Sequence, residues 1–168
     1  MAAGDAPLYR ERGPEDFGEA VVLIERIFRE EFDMPVGEPL GREIEALRRR
    51  FDARRDLVLT ADVSGALVGT LLVSHEEEPS GTAFIPWLVV EAPHRGKGIG
   101  RELLFRAVES CRERRYLRLR ARAFALSPAA PHLLWMHGFR VAELKPLWLG
   151  GLPRETILFE KWLTPSAA

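Results

Sequence analysis

The stretch that most constrains this chain is 84–111, FIPWLVVEAPHRGKGIGRELLFRAVESC. Residues 84–90 form an apolar run of strand length, rich in β-branched and aromatic side chains. Residues 91–100 break that run with Pro93 and the glycines Gly96, Gly98 and Gly100. From Arg101 the period changes: Leu103, Leu104, Ala107, Val108 and Cys111 fall on one helical face, with Arg106, Glu109 and Arg112 off it. A buried strand, a glycine loop and a helix start together make a seat for a phosphate or pyrophosphate. Missing Cβ atoms let a ligand approach the backbone. The unpaired N–H groups of the first helical turn point at that ligand, and the helix dipole favours an anion. Arg95, Lys97 and Arg101 add positive charge.

Two better-known phosphate loops do not fit. In a Walker A loop Gly96-Lys97 would be followed by Ser or Thr, but Gly98 follows, and Glu91 stands at the first glycine position. A dinucleotide fingerprint starting at Gly96 would need its third glycine where Arg101 stands. What remains is [RQ]-x-x-G-x-[GA], filled by Arg95, Gly98 and Gly100 between an apolar strand and an amphipathic helix. This stretch resembles the acetyl-CoA pyrophosphate loop of the GNAT superfamily of N-acetyltransferases.

The remaining pattern is read in chain order. A length of 168 residues, 46% of them apolar, suits one domain over 1–168 with a sizeable core, its tails at about 1–7 and 164–168. A net charge of −1 implies no general polyanion partner, so neither nucleic acid nor a membrane surface is expected. Cys111 is the only cysteine; it reads as an inert core thiol, and a reducing cytoplasm is the expected location. Residues 8–12 suit a short strand. Pro14 with acids beside it opens a helix to about residue 31, and 42–53 suits a second helix after a loop at 33–41. The arginines at 48–50 and 54–55 read as a solvated face. Strands are expected at 56–61 and 66–74 around a turn at 62–65, then at 84–90 after an acidic turn carrying Glu76, Glu77 and Glu78. After the central helix, 116–123 alternates Leu117, Leu119 and Ala121 with Arg118, Arg120 and Arg122, a strand with one arginine face. A short helix from Ser127-Pro128 ends at Gly138. Two strands, 139–143 and 156–162, close the chain around a loop carrying Trp148.

Strand, two helices, three strands, helix, strand, short helix, two strands is also the element order of the GNAT fold, so the resemblance covers nearly the whole chain. It implies an α/β fold (α+β in some schemes): a mixed, mostly antiparallel sheet splayed at its central strands, with helices on both faces. It implies acetyl-CoA as cosubstrate, an amine acceptor, direct attack in a ternary complex, no metal, and room for a homodimer. By the same resemblance Leu88, Val89 and Val90 offer backbone groups to the pantetheine arm, with the Leu88 backbone as oxyanion donor. Arg95, Gly96, Lys97, Gly98, Ile99, Gly100 and Arg101 hold the pyrophosphate, and Ser127 stands where many members carry an asparagine.

The side-chain catalysts are harder to place. Many members carry a tyrosine acid four residues before the Gly-Phe glycine; here that position is Leu134. Some carry a glutamate base early in the central strand; here it is Phe84. His137, Glu76 and Ser127 are the substitute candidates, with Trp135 as a neighbour. A second reading therefore stays open, a non-catalytic acetyl-CoA-binding or sensor module, and a third, a nucleotide-phosphate domain, rests on the glycine loop alone. The acceptor is also open. Glu76–Glu78 and an aromatic wall of Phe84, Trp87 and Trp135 would suit a cationic amine, whereas the arginine face of 116–123 would suit an anionic one.

Overall fold

The computed structural model describes residues 5–33, 37–125, 129–149 and 151–164. Strand β1 (Leu8–Arg12) leads into helices α1 (Phe17–Phe32) and α2 (Gly37–Arg49). Strands β2 (Leu57–Val63), β3 (Ala66–Glu76), β4 (Thr82–Ile85) and β5 (Leu88–Val90) follow, then α3 (Ile99–Glu113), β6 (Arg118–Phe124), α4 (Ala129–Met136), β7 (Arg140–Leu149) and β8 (Leu152–Trp162). The sheet runs β1-β2-β3-β4-β6-β8-β7, with β5 paired to β3 alone. All pairings are antiparallel except β4 with β6.

Alternation along the strands sends successive side chains to opposite faces, and helices cover both. On one face Leu57, Leu59, Leu71, Ala83 and Leu119 pack with Leu103, Leu104 and Ala107 of α3 and Leu134 of α4. On the other, Val58, Leu72, Trp87 and Val89 pack with Ile24, Ile27 and Phe28 of α1 and Ile44 and Leu47 of α2. Cys111 is fully buried on the α3 side, and burial pushes its thiol pKa up to about 12, so it is the inert core thiol the helix pattern implies. Among the described residues no helix is long and apolar enough to cross a membrane.

Three elements differ from the sequence reading. Helix α2 starts at Gly37, not at 42, because Pro39 falls in the first turn, where its missing N–H has no intrahelical partner to lose. The closing strands are much longer than expected and form a hairpin, so Trp148 lies on β7 rather than in a loop. Gly150-Gly151 is a two-residue hairpin signal, with Gly151 at φ 78°, and Pro146 is tolerated because β7 is an edge strand. Third, the central strand is not continuous over 84–90. Phe84 pairs with Ser74 and Leu88 with Leu71, so four steps on one strand answer three on the other: a β-bulge at Pro86-Trp87.

Helix α3 lies close on β3 because Gly69 has no side chain. A Cβ there would meet Ile99 Cγ2 at 3.2 Å, Leu103 Cδ1 at 3.3 Å and the Val89 carbonyl at 3.4 Å. Gly69→Val adds two further methyl groups to that contact. It is expected to destabilise the fold by about 1–3 kcal/mol, the usual cost of overpacking, and to lower the urea midpoint; an unchanged midpoint would show that α3 can move away at no cost.

Candidate active site

Because β4 pairs with β6 through Ile85↔Ala121 and β5 pairs only with β3, the two central strands part company beyond residue 85. The gap is a cleft of about 500 Å³. Trp87–Val90 line one wall and Arg122, Ala123 and Phe124 the other. It opens to both faces of the sheet: Leu133, Met136 and His137 of α4 border it on one side, Ile27, Phe28 and Phe32 of α1 on the other. On the α1 side three rings close together, with Phe28 centred 5.1 Å from both Trp87 and Phe124, and Trp87 stacked on Phe124 at 5.9 Å.

The wall formed by β5 is a free strand edge. The Trp87 carbonyl accepts from Leu72 N–H (3.1 Å), and Glu91 N–H donates to the Val68 carbonyl (2.8 Å). Backbone groups alternate in direction along a strand, so those of Leu88 and Val90 point away from β3, into the gap. The Val90 carbonyl is taken by Arg95 Nε at 2.8 Å, which leaves both groups of Leu88 and the Val90 N–H on the cleft side. Val89 faces the α1/α2 core.

At one end of the gap lies the glycine loop. Gly96 and Gly98 take φ of 72° and 86°, a region that suits glycine, and a Cβ at either would meet nothing within 4 Å. The loop surface is therefore open. Gly98 is the N-cap of α3, and the helix's first internal bond is Glu102 N–H to the Gly98 carbonyl. The N–H groups of Ile99, Gly100 and Arg101 come before it and have no partner inside the helix, while the Ile99 side chain is buried as the anchor. Arg95 and Arg101 border the cleft; Lys97 does not. Two ion pairs tie α1 to this end, Glu31 with Arg95 Nη1 at 2.5 Å and Arg26 with Glu91. Ser127 lies outside the described residues.

The candidate side chains are scattered. His137 does border the cleft. Burial, then the nearby charges of Lys161 and Arg101, push its pKa below the ordinary histidine value, which favours the uncharged imidazole. Leu134, where the resemblance implies a tyrosine, points into the core with 3% exposure, while its neighbour Leu133 faces the gap. Trp135 is on the surface, its ring centre 5.8 Å from the Arg140 guanidinium, and does not border the cleft. Glu76 is not at the cleft either: it belongs to β3, not to a turn, and faces Arg120 at 3.8 Å. Glu77 bonds Arg55 (2.8 Å) and His75 (3.0 Å), and Glu78 is exposed beyond it. Sequence reasoning missed Phe28, Phe32, Phe124, His94 and His132, and left Arg122 undecided; all of them line the gap. In sequence, Phe28 is one residue of α1's apolar stripe and cannot be told from core, and Phe124 is simply the end of β6.

The model of the acetyltransferase (GNAT) family matches residues 21–139. An acetyltransferase of the GNAT family from Staphylococcus aureus Mu50 superposes with a TM-score of 0.77 at 17% identity, over 95% of this chain and all of the other. Salmonella typhimurium yncA, solved with its cofactor acetyl-CoA, gives a TM-score of 0.74 at 18% identity over 98% of both chains. Ribosomal-protein-alanine N-acetyltransferase from Brucella melitensis gives 0.72 at 22% identity, over 93% of this chain and 99% of that one. A comparison with curated proteins gives no match.

The position of Leu134 has a measurable consequence. Leu134→Tyr forces a larger, polar side chain into a filled core and is expected to lower stability by about 1–3 kcal/mol. A urea midpoint equal to or above that of the parent would show that the side chain has room, and so faces the cleft.

Proposed function

The chain belongs to the acetyltransferase (GNAT) family, and from that premise we propose that it moves the acetyl group of acetyl-CoA to a primary amine of a small molecule or peptide. The observation that carries this reading is the gap between β5 and β6, which joins a helix N-terminus and glycine loop on one side of the sheet to an aromatic pocket on the other. The residues present fit the cosubstrate. The loop offers open glycine surfaces and unpaired N–H groups to a pyrophosphate, and β5 offers a free edge to a chain that carries amides. That yncA holds acetyl-CoA in a protein of the same fold supports the choice of ligand.

In this reading Arg95, Gly96, Lys97, Gly98, Ile99, Gly100 and Arg101 bind the pyrophosphate, and Leu88, Val89 and Val90 align the arm that leads from it. When bound, acetyl-CoA would supply the acetyl group as a thioester, and the free amine would take it directly within a ternary complex: the C–N bond forms, the C–S bond breaks, CoA leaves as its thiolate, and the proton lost by the amine is available to that thiolate through solvent. The Leu88 N–H donates to the carbonyl oxygen as charge develops there, a contribution of about 10²–10³ in rate. His137, beside the gap with His94 and His132, is an imidazole able to take up a proton there. The absence of a tyrosine acid removes a factor of about 10²–10⁴, whereas holding both reactants together supplies effective molarities of about 10⁵–10⁸ M. Positioning therefore outweighs the missing acid. Acetyl-CoA and the amine are the partners in this reading, and a cytoplasmic location goes with it. A homodimer is compatible with the exposed Leu144 and Trp148 on the edge strand.

The burial of Leu134 favours a second reading, a module that binds acetyl-CoA without turnover. Thiol release from acetyl-CoA in the presence of a panel of amines separates the two. Amine-dependent release is the expected result; binding of acetyl-CoA with no release for any amine would overturn the enzyme reading in favour of the module. The binding half has its own test. Gly98→Asp places a carboxylate in the anion seat, and calorimetry is expected to show loss of CoA binding by the folded variant. Unchanged affinity would remove the glycine loop from the site.

A further inference from the structure

The face of the sheet toward α1 and α2 carries a row of arginines. Arg118, Arg120 and Arg122 alternate with the buried Leu119 and Ala121 on β6, so all three project to that face. Each has a carboxylate opposite it: Glu160 at 3.5 Å for Arg118, Glu76 at 3.8 Å for Arg120, and Glu43 of α2 at 2.7 Å for Arg122. Arg50 adds a further positive charge, bonded to the Ser74 hydroxyl at 2.6 Å. Ser74 pairs across the sheet with Phe84, and Phe84 with Arg120, so this charge belongs to the same face.

Arg122 is the member of the row that reaches the cleft. Its guanidinium lies 4.9 Å from the Trp87 ring centre and 5.6 Å from that of Phe84, with 12% of the side chain exposed. Glu43 takes only its Nη2. The Nε of Arg122, the Nε of Arg120 and the indole Nε1 of Trp87 are all buried, and none has an acceptor among the described residues. Trp87 is 2% exposed and lines the gap. Arg120 does not border the cleft, and the Glu76 Oε2 beside it is likewise buried without a hydrogen-bond partner. The Arg122 and Trp87 donors do border it, and two buried donors without acceptors are a costly arrangement unless something brings oxygen atoms to them. A carboxylate brings two oxygens and a charge opposite to that of the Arg122 guanidinium. In a pocket walled by Phe28, Trp87 and Phe124, such charge-assisted bonds are stronger than in water.

We infer that the acceptor is a small molecule bearing a carboxylate as well as the amine, with the carboxylate held by Arg122 and the Trp87 indole N–H on the α1/α2 side of the cleft. The inference rests on the acetyltransferase reading for the role of this ligand, but not for its binding. It also assigns the sign of the site: the acidic residues Glu76 and Glu77 are engaged by arginines away from the gap and do not select a cation.

The experiment is calorimetry on the CoA-loaded protein with matched amines, each offered as the free carboxylate, the carboxamide and the decarboxylated form. The carboxylate is expected to bind at least about tenfold more tightly than its carboxamide, the discrimination a lost charge-assisted pair produces. In Arg122→Gln that ratio should fall toward one, and in Arg122→Lys, which keeps the charge but not the fork, it should fall part of the way. Equal binding of carboxylate and carboxamide by the parent protein would overturn the inference without any variant, as would a ratio unchanged in a folded Arg122→Gln. Thiol release measured on the same amines keeps the two conclusions apart. Discrimination without release would remove the enzyme reading and leave the anion site standing, whereas release that ignores the carboxylate would do the reverse.

Discussion

The whole arrangement depends on the sheet failing to close at Pro86-Trp87. Proline has no N–H to give to a ladder, and the extra residue at this point slips the register of β5 against β3 by one. From there β5 follows β3 while β6 follows β8, and among the described residues no strand fills the space between. An unfilled space between parallel neighbours is normally a liability, because it bares backbone groups. Here it gives a cleft bordered by residues from both faces of the sheet, edged by the N–H and C=O of Leu88 and the N–H of Val90. The bulge also resets which side chains face which way. Phe84 looks to the α1/α2 face, and past the bulge it is Trp87 and Val89 that do so.

The rest of the structure is arranged around that opening. Gly69 lets α3 settle close against β3, which fixes the start of α3, and hence the glycine loop, at the end of the gap. Helix α1 is held there by Arg26–Glu91 and Glu31–Arg95 and contributes Phe28 to the aromatic wall. Arg95 is thus shared: it binds the Val90 carbonyl through Nε and Glu31 through Nη1. It orders the loop as much as it charges it. Exposed ion pairs of this kind add little to global stability, and their effect is positional, holding three elements in one geometry at the cleft entrance.

In the proposed reading, the same partition would let one small cleft serve two unlike ligands. The loop side presents backbone donors and a helix dipole, a fit for phosphate oxygens. The α1/α2 side presents guanidinium and indole donors among aromatic rings. The two meet only at the break in the central strand, where the reacting atoms would have to lie. Arg118, Arg120 and Arg122 are each answered by a carboxylate, Glu160, Glu76 and Glu43, and of the three it is Arg122 that borders the gap.

What the sequence determined by itself was everything that depends on local pattern. Helical periodicity marked α1 and α3, alternation marked β6 and its arginine face, and the spacing Arg95, Gly98, Gly100 after an apolar strand marked the anion seat and with it the family. Local signals were also present where the reading fell short: Pro86 in a strand and Gly150-Gly151 before an alternating segment announced the bulge and the long final hairpin. What only the tertiary structure decided was which residues meet across elements far apart in the chain. Whether Leu134 or Leu133 faced the cleft depended on the docking angle of α4. Whether Phe28 was core or wall depended on a gap two strands away, and whether the acids of 76–78 or the arginines of β6 bordered the acceptor side depended on which strand ends the splay exposed. Periodicity tells a residue which face of its own element it occupies; only the packing of elements against one another tells it what that face looks upon.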